Sequence, residues 1–274
     1  MMKVDQEEAT EVEVLVDVAR KVRRRTLALI SEAGYGFLGP CFSCVDIIVC
    51  LGWSAATQCF ATESDDHANL ILSKGHAAAA LYAALAEHDG DCEQEEYAEF
   101  GSPLQAHPNS SRLPRVMVSS GSVGQAIPVA VGVALAEKLQ GRRNQTYVLT
   151  GDGELQAGVV WEGLIAASSQ RPQPNLVLIV DANGFQSAGR VPTLESTKSM
   201  LETIVSKFVE IDGNDISQVL EALNELEKHE GLGAIWCWTR RGAGLKGFND
   251  EWPMSTIGSS ELVSKWLRDL EDRT

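Results

Sequence analysis

Asp152 and Asn183 carry the side chains best suited to gripping a hard cation. Asp152 stands between two glycines in Gly151-Asp152-Gly153, and Asn183 closes the tripeptide Asp181-Ala182-Asn183. One carboxylate and one amide oxygen make an oxygen-only half-shell, which suits Mg2+ or Ca2+ rather than Zn2+. With so few protein charges, Mg2+ completes its octahedron from phosphate oxygens and water, so the pair reads as a diphosphate clamp. Gly151 and Gly153 let the backbone turn sharply and approach a bulky anion with no Cβ in the way. A plain Asx turn at Asp152, with Asn183 in a surface loop, is the alternative these residues leave open.

For the two side chains to meet, the segments between them must bring them to one edge. Residues 147–150 read as a short buried strand, 154–169 as a helix with Val160, Leu164 and Ala167 on one face, and 176–180 as a β-branched run buried on both sides. A right-handed strand-helix-strand crossover then places Asp152 and Asn183 together at the carboxyl ends of neighbouring strands.

Further candidates lie upstream. The strand Asn69 to Leu72 runs into Ser73-Lys74-Gly75-His76, where an imidazole at a strand end can pass a proton near neutral pH. Lys74 reads either as a neutraliser of phosphate or as a solvated lysine. A loop rich in Pro and Ser, 101–115, carries His107 before Pro108, and a short strand at 116–118 leads into Ser119-Ser120-Gly121-Ser122-Val123-Gly124-Gln125. That turn opens a helix, reaching Leu139, loaded with small residues.

Gly151-Asp152-Gly153-Glu154-Leu155-Gln156 through Asn183 resembles the thiamine-diphosphate motif of transketolases, and Ser73-Lys74-Gly75-His76-Ala77 resembles that family's Ser-x-Gly-His-Ala segment. The resemblance implies a doubly wound, mostly parallel α/β fold with helices on both faces, and Mg2+ or Ca2+ held by Asp152, Asn183 and the backbone carbonyl of Phe185. It implies cofactor contacts from His76, Gly121, Val123, Gly151, Gly153, Glu154 and Asn183, with the turn at Gly121 and Val123 holding the aminopyrimidine ring. His76 and His107 are the catalytic, substrate-facing histidines it implies.

The likeness spans nearly all 274 residues but corresponds only to the diphosphate-binding half of a full transketolase. The acid that protonates the pyrimidine ring sits in a separate pyrimidine-binding domain, so a C-terminal partner subunit is expected, in a two-fold heterotetramer. The implied activity is transfer of a two-carbon ketol unit from a ketose or ketose phosphate to an acceptor. Three departures bear on it: Phe37 stands where the family has a substrate-contacting His, Ala157 replaces a Glu of a bridge between active sites, with Glu162 nearby, and 251–254 lacks the late His. Lys246 is a candidate for the missing charge. Other readings are transfer to a lipoyl or acyl-carrier thiol, as in two-component oxo-acid dehydrogenases, a non-catalytic cofactor-binding protein, and a flavodoxin-like phosphate binder without metal.

Composition narrows the class. Hydrophobic residues at 44% and 24 glycines suit a globular α/β enzyme, while a net charge of −15 argues against nucleic acid and anionic membranes. No basic start precedes an apolar run and no stretch approaches ~20 apolar residues, so a cytoplasmic location is expected. Cys41, Cys44, Cys50, Cys59, Cys92 and Cys237 lack the spacing of a structural zinc site and read as reduced thiols. The remaining chain reads as one domain over residues 1–274. A frayed tail at 1–8 is followed by helices at 9–33, with the basic run Arg20 to Arg25 as a solvated or subunit-contact face, and 42–53. After the central motif come a loop at 185–195, a helix at 201–207, strands at 208–211 and 233–239, and a helix from Ile216 to His229 capped by the turn at 212–215.

Overall fold

The unit built around Asp152 forms the middle of the sheet. The computed structural model describes residues 10–61, 67–90, 96–171 and 173–271; the expected tail at 1–8 and Cys92 lie outside them. Strands β1 (Asn69–Leu72), β2 (Thr146–Gly151) and β3 (Leu176–Ala182) run side by side, followed by the short hairpin β4 (Phe185–Gln186) and β5 (Gly189–Arg190). With β6 (Lys207–Asp212) and β7 (Leu232–Trp238), the main sheet has the order β1-β2-β3-β7-β6, every neighbour parallel.

Helices cover both faces. One layer holds α1 (Glu11–Ala33), α2 (Leu38–Ser43), α3 (Val45–Trp53), α4 (Ala78–Asp89), α8 (Ile216–Leu226) and α9 (Ser260–Glu271); the other holds α5 (Ala126–Leu139), α6 (Gly158–Ser169) and α7 (Leu194–Ile204). Alternate strand residues split between the layers: Tyr147, Leu149, Val177 and Ile179 pack towards the first, and Val148, Leu178, Val180 and Trp236 towards the second. Side chains of period two on a sheet covered on both sides explain why these strands read as continuous apolar runs.

Several local expectations need correcting. Residues 116–118 are irregular, with a bend at 117–118, rather than a strand, and 152–156 form a 3-10 helix before α6 begins at Gly158. Glu154 dictates that tighter start, because its carboxylate accepts from Gly151 N and leaves the α-helix to begin only after Ala157. The stretch 42–53 is two helices broken at Cys44, α7 begins at Leu194 rather than 201, and α8 stops at Leu226. The loop after Asn183 contains the β4–β5 hairpin.

The basic run of α1 is only partly a solvated face: Lys21 and Arg24 are exposed, whereas Arg20 and Arg23 are part-buried. Arg23 lies with its guanidinium on the Asp46 carboxylate (2.5 and 2.9 Å) and on Ala243 O, while Arg20 donates to Leu270 O and Arg24 pairs with Glu271. These arginines fasten α1 to α3, to the loop after β7 and to α9, an element with no counterpart in the expectations above. Among the described residues no helix is long and apolar enough to cross a membrane.

Candidate active site

Where β1, β2, β3 and β7 end, four loops converge on a cavity of about 280 Å3. Such a carboxyl edge is where open parallel sheets bind ligands. Asp152, Gly151 and Gly153 border it from β2, Asn183 and Phe185 from β3, and His76 and Lys74 from β1. Gly121, Val123 and His107 border it from the loops before α5, and Glu154 from the 3-10 helix. The sequence candidates, scattered over more than a hundred residues, thus share one space.

Asp152 is 1% exposed. Its carboxylate accepts from Gly153 N (2.8 Å) and Gly184 N (2.6 Å), so it already touches the chain that carries Asn183. Burial, reinforced by the negative charge of Asp181, pushes its pKa up to about 7. No cation pairs with it among the described residues. A buried carboxylate with two amide donors and no ion-paired cation is the environment a divalent ion relieves. Asn183 Oδ1 accepts from Phe185 N (3.0 Å), which turns the Phe185 backbone back beside the amide oxygen. No cluster of three or more His, Cys, Asp or Glu suited to a metal occurs among the described residues. With both Glu154 oxygens taken up by Ser73, Gly124, Thr150 and Gly151, the Asp152 carboxylate, the Asn183 amide oxygen and main-chain oxygen form a hard donor set that fits Mg2+ with phosphate.

Beneath this edge runs a buried ion pair. Gly151 lies opposite Asp181 in the β2–β3 register, and the Lys74 methylenes would stand 3.6–3.9 Å from a Cβ at Gly151. These are ordinary contact distances; Lys74 crosses β2 beside Gly151 and bonds the Asp181 carboxylate, with Pro40 O (3.0 Å) as a second acceptor. Ser43 Oγ (2.6 Å), Thr239 Oγ1 and Asn183 Nδ2 (3.2 Å) donate to the same carboxylate. Burial alone would lower the Lys74 pKa, but the Asp181 charge holds it above its ordinary value. Lys74 is 1% exposed, so the solvated-lysine alternative is wrong. The signal was in the sequence: an acid inside the apolar run Leu176–Ala182 must find a partner.

Glu154 acts as a brace. One carboxylate oxygen accepts from Ser73 Oγ (2.8 Å) and Gly124 N (3.0 Å), the other from Thr150 Oγ1 (2.9 Å) and Gly151 N (3.0 Å). It therefore ties the end of β1, the glycine turn and the end of β2 together. Gly121 adopts φ +130°, and a Cβ there would stand 2.8 Å from the His107 ring. Gly75 is equally crowded, its notional Cβ 2.7 Å from Gly121 Cα.

Both histidines are held below the ordinary imidazole range. Burial and the nearby Lys74 ammonium push His76 down to about 3, and burial lowers His107. Each imidazole then offers one donor and one acceptor. Cys41 and Cys44 are buried thiols pushed up to about 12 by burial, which leaves them protonated and inert.

Lys246 does not border this cavity; it lines a separate groove with Glu13, Arg20, Arg23 and Asp269. Arg241 stands at the cavity instead. It is 5% exposed, donates to Asp250 O and Trp252 O, and keeps Nε without a partner among the described residues. Its guanidinium lies 4.8 Å from the Phe185 ring centroid, and Arg190 covers the same ring at 4.8 Å. Met254 completes that rim.

The sequence model described as "Transketolase, thiamine diphosphate binding domain" matches residues 15–249. The chain belongs to the transketolase family, within its thiamine diphosphate-binding domain. It is 33% identical over 239 residues to a subunit of the apulose-4-phosphate transketolase of Actinobacillus succinogenes, covering 83% of this chain and 84% of that protein. It is 29% identical over 246 residues to human transketolase, covering 87% of this chain but 39% of the relative. The crystal structure of Campylobacter jejuni transketolase shares the fold with a TM-score of 0.80 at 24% identity, over 96% of this chain and 43% of that one. The chain thus spans less than half the length of these full transketolases.

Proposed function

We propose that this protein is one subunit of a two-component transketolase, binding thiamine diphosphate through Mg2+ (or Ca2+) and transferring a two-carbon ketol unit from a ketose or ketose phosphate to an acceptor. The observation that carries the reading is the buried carboxylate of Asp152, without an ion-paired cation among the described residues, beside the Asn183–Phe185 turn in a cavity bordered by His76 and His107.

When bound, thiamine diphosphate supplies the carbanion chemistry. Asp152, Asn183 and the Phe185 carbonyl hold the metal, and Arg241 adds fixed positive charge at the same rim. Gly121 and Val123 offer a rigid main-chain surface, held in register by the Glu154 bond to Gly124 N. His76 and His107 orient substrate oxygens through hydrogen bonds from and to their ring nitrogens. The Lys74–Asp181 pair keeps Asn183 in place through its Nδ2.

The acid needed at the pyrimidine ring comes from a separate C-terminal subunit carrying the pyrimidine-binding domain, in a heterotetramer of cytoplasmic location. A relative of matching length that is named as one subunit of its transketolase supports a divided enzyme. Calorimetric titration with thiamine diphosphate tests the reading directly. Binding requires Mg2+ or Ca2+ and disappears in EDTA, and ketol transfer appears only with the partner subunit. Metal-independent binding of the cofactor, or full turnover by the single chain, overturns it.

A further inference from the structure

Phe37 sets the character of the histidine side of the cavity. Gly34 (φ +61°) and Gly36 (φ +153°) swing the chain out of α1 and deliver Phe37 to the residue before α2. A Cβ at Gly36 would stand 2.8 Å from Ile30 Cγ1, so this turn is tightly specified. The Phe37 ring meets both imidazoles edge-on, with centroids 6.0 Å from His76 and 6.1 Å from His107, and Tyr35 packs behind it at 5.7 Å. Val123 also borders the cavity and adds apolar surface. Among the described residues bordering the cavity, the two fixed cations already have partners: Lys74 is tied to Asp181, and Arg241 lies on the Phe185 ring.

We propose that Phe37 is a specificity-determining residue for the acceptor, making the histidine side of the cavity fit an aldehyde with a hydrocarbon chain rather than a polyhydroxylated or phosphorylated one. The proposal rests on the ketol-transfer reading above. In that transfer the donor bond between its carbonyl carbon and the adjacent carbinol carbon breaks, and the remainder leaves as an aldehyde. A new carbon–carbon bond forms to the acceptor's carbonyl carbon, and the acceptor oxygen takes the proton the carbinol lost, so no oxidant or reductant is needed. The imidazoles can hydrogen-bond that reacting oxygen while the chain beyond it packs against the Phe37 ring. A hydroxyl set against the ring leaves water without gaining a partner. An apolar wall of this kind discriminates against an added hydroxyl by up to ~100-fold.

The test has a binding arm and a kinetic arm. The chain loaded with thiamine diphosphate and Mg2+ is titrated with butyramide and with its trihydroxylated counterpart erythronamide, following the Phe37, His76 and His107 resonances by NMR. Butyramide perturbs them at concentrations at least ~10-fold lower. Phe37→Leu keeps that order, whereas Phe37→His removes or reverses it. In the complex with the partner subunit, kcat/KM for butanal over D-erythrose follows the same pattern across the three proteins. Equal or tighter binding of erythronamide, or a ratio untouched by Phe37→His, overturns the proposal while leaving the ketol-transfer reading in place. Failure of the chain to bind thiamine diphosphate at all overturns both.

Discussion

Replacing Asp152 by Asn isolates the electrostatic core of the site. The folded, metal-free protein raises the Asp152 pKa from 3.8 to about 7, so it keeps a proton that the unfolded chain has already released. A pKa raised on folding contributes stability that is fully present below about pH 4 and lost as pH rises through about 7. The loss runs at about 1.4 kcal/mol per pH unit and totals on the order of 4 kcal/mol. The amide of Asp152→Asn cannot titrate, but its NH2 faces either Gly153 N or Gly184 N, leaving one donor unsatisfied at a constant cost of about 1–3 kcal/mol. That offset moves the variant's curve without tilting it. Urea denaturation between pH 4 and pH 8, in EDTA, should therefore show the wild type losing stability relative to Asp152→Asn as pH rises. Mg2+ with thiamine diphosphate at pH 8 should restore the wild type and leave the variant almost unchanged. Parallel curves for the two proteins in EDTA would refute the reasoning, because they would mean that Asp152 ionises without cost and has no need of a cation.

Other tests follow from the same geometry. Lys74→Met strands the Asp181 carboxylate and should destabilise the fold by about 3–5 kcal/mol in urea melts, while Lys74→Met with Asp181→Leu should recover much of that loss. Gly121→Ala combines positive φ with a 2.8 Å approach to His107, so we expect a loss of about 1–3 kcal/mol together with weakened thiamine diphosphate binding by calorimetry. His76, held near 3 when folded, should keep a neutral imidazole NMR signature throughout pH 5–8. Because its folded pKa is depressed, its contribution to stability is intact above about 6.5 and declines as pH falls towards 3. His76→Gln should flatten that acid limb.

Much of the site was legible because its parts are local. A glycine-flanked acid after an apolar strand, an Asn after the next strand and a His after an earlier one each carry their signal within a few residues. The parallel pairing of β2 with β3 followed from the strand-helix-strand spacing alone. Errors gathered where a distant partner, present or missing, overrides local preference. Residues 116–118 look like a strand, yet no neighbouring strand pairs with them among the described residues. Arg20 to Arg25 look like a solvated stripe, yet Arg23 answers to Asp46 and Ala243.

By itself, then, the order of residues determined the α/β alternation, the family and the identity of the candidate ligands, since these rest on short-range periodicity and motif spacing. Tertiary structure alone decided which charges are buried and which neighbours they have. It set Lys74 across Gly151 onto Asp181, brought Arg241 rather than Lys246 to the cavity, and put Phe37 against two imidazoles. The physical reason is that protonation, desolvation and ring contacts depend on distances through space between segments far apart in the chain, and periodicity along one segment carries no record of them.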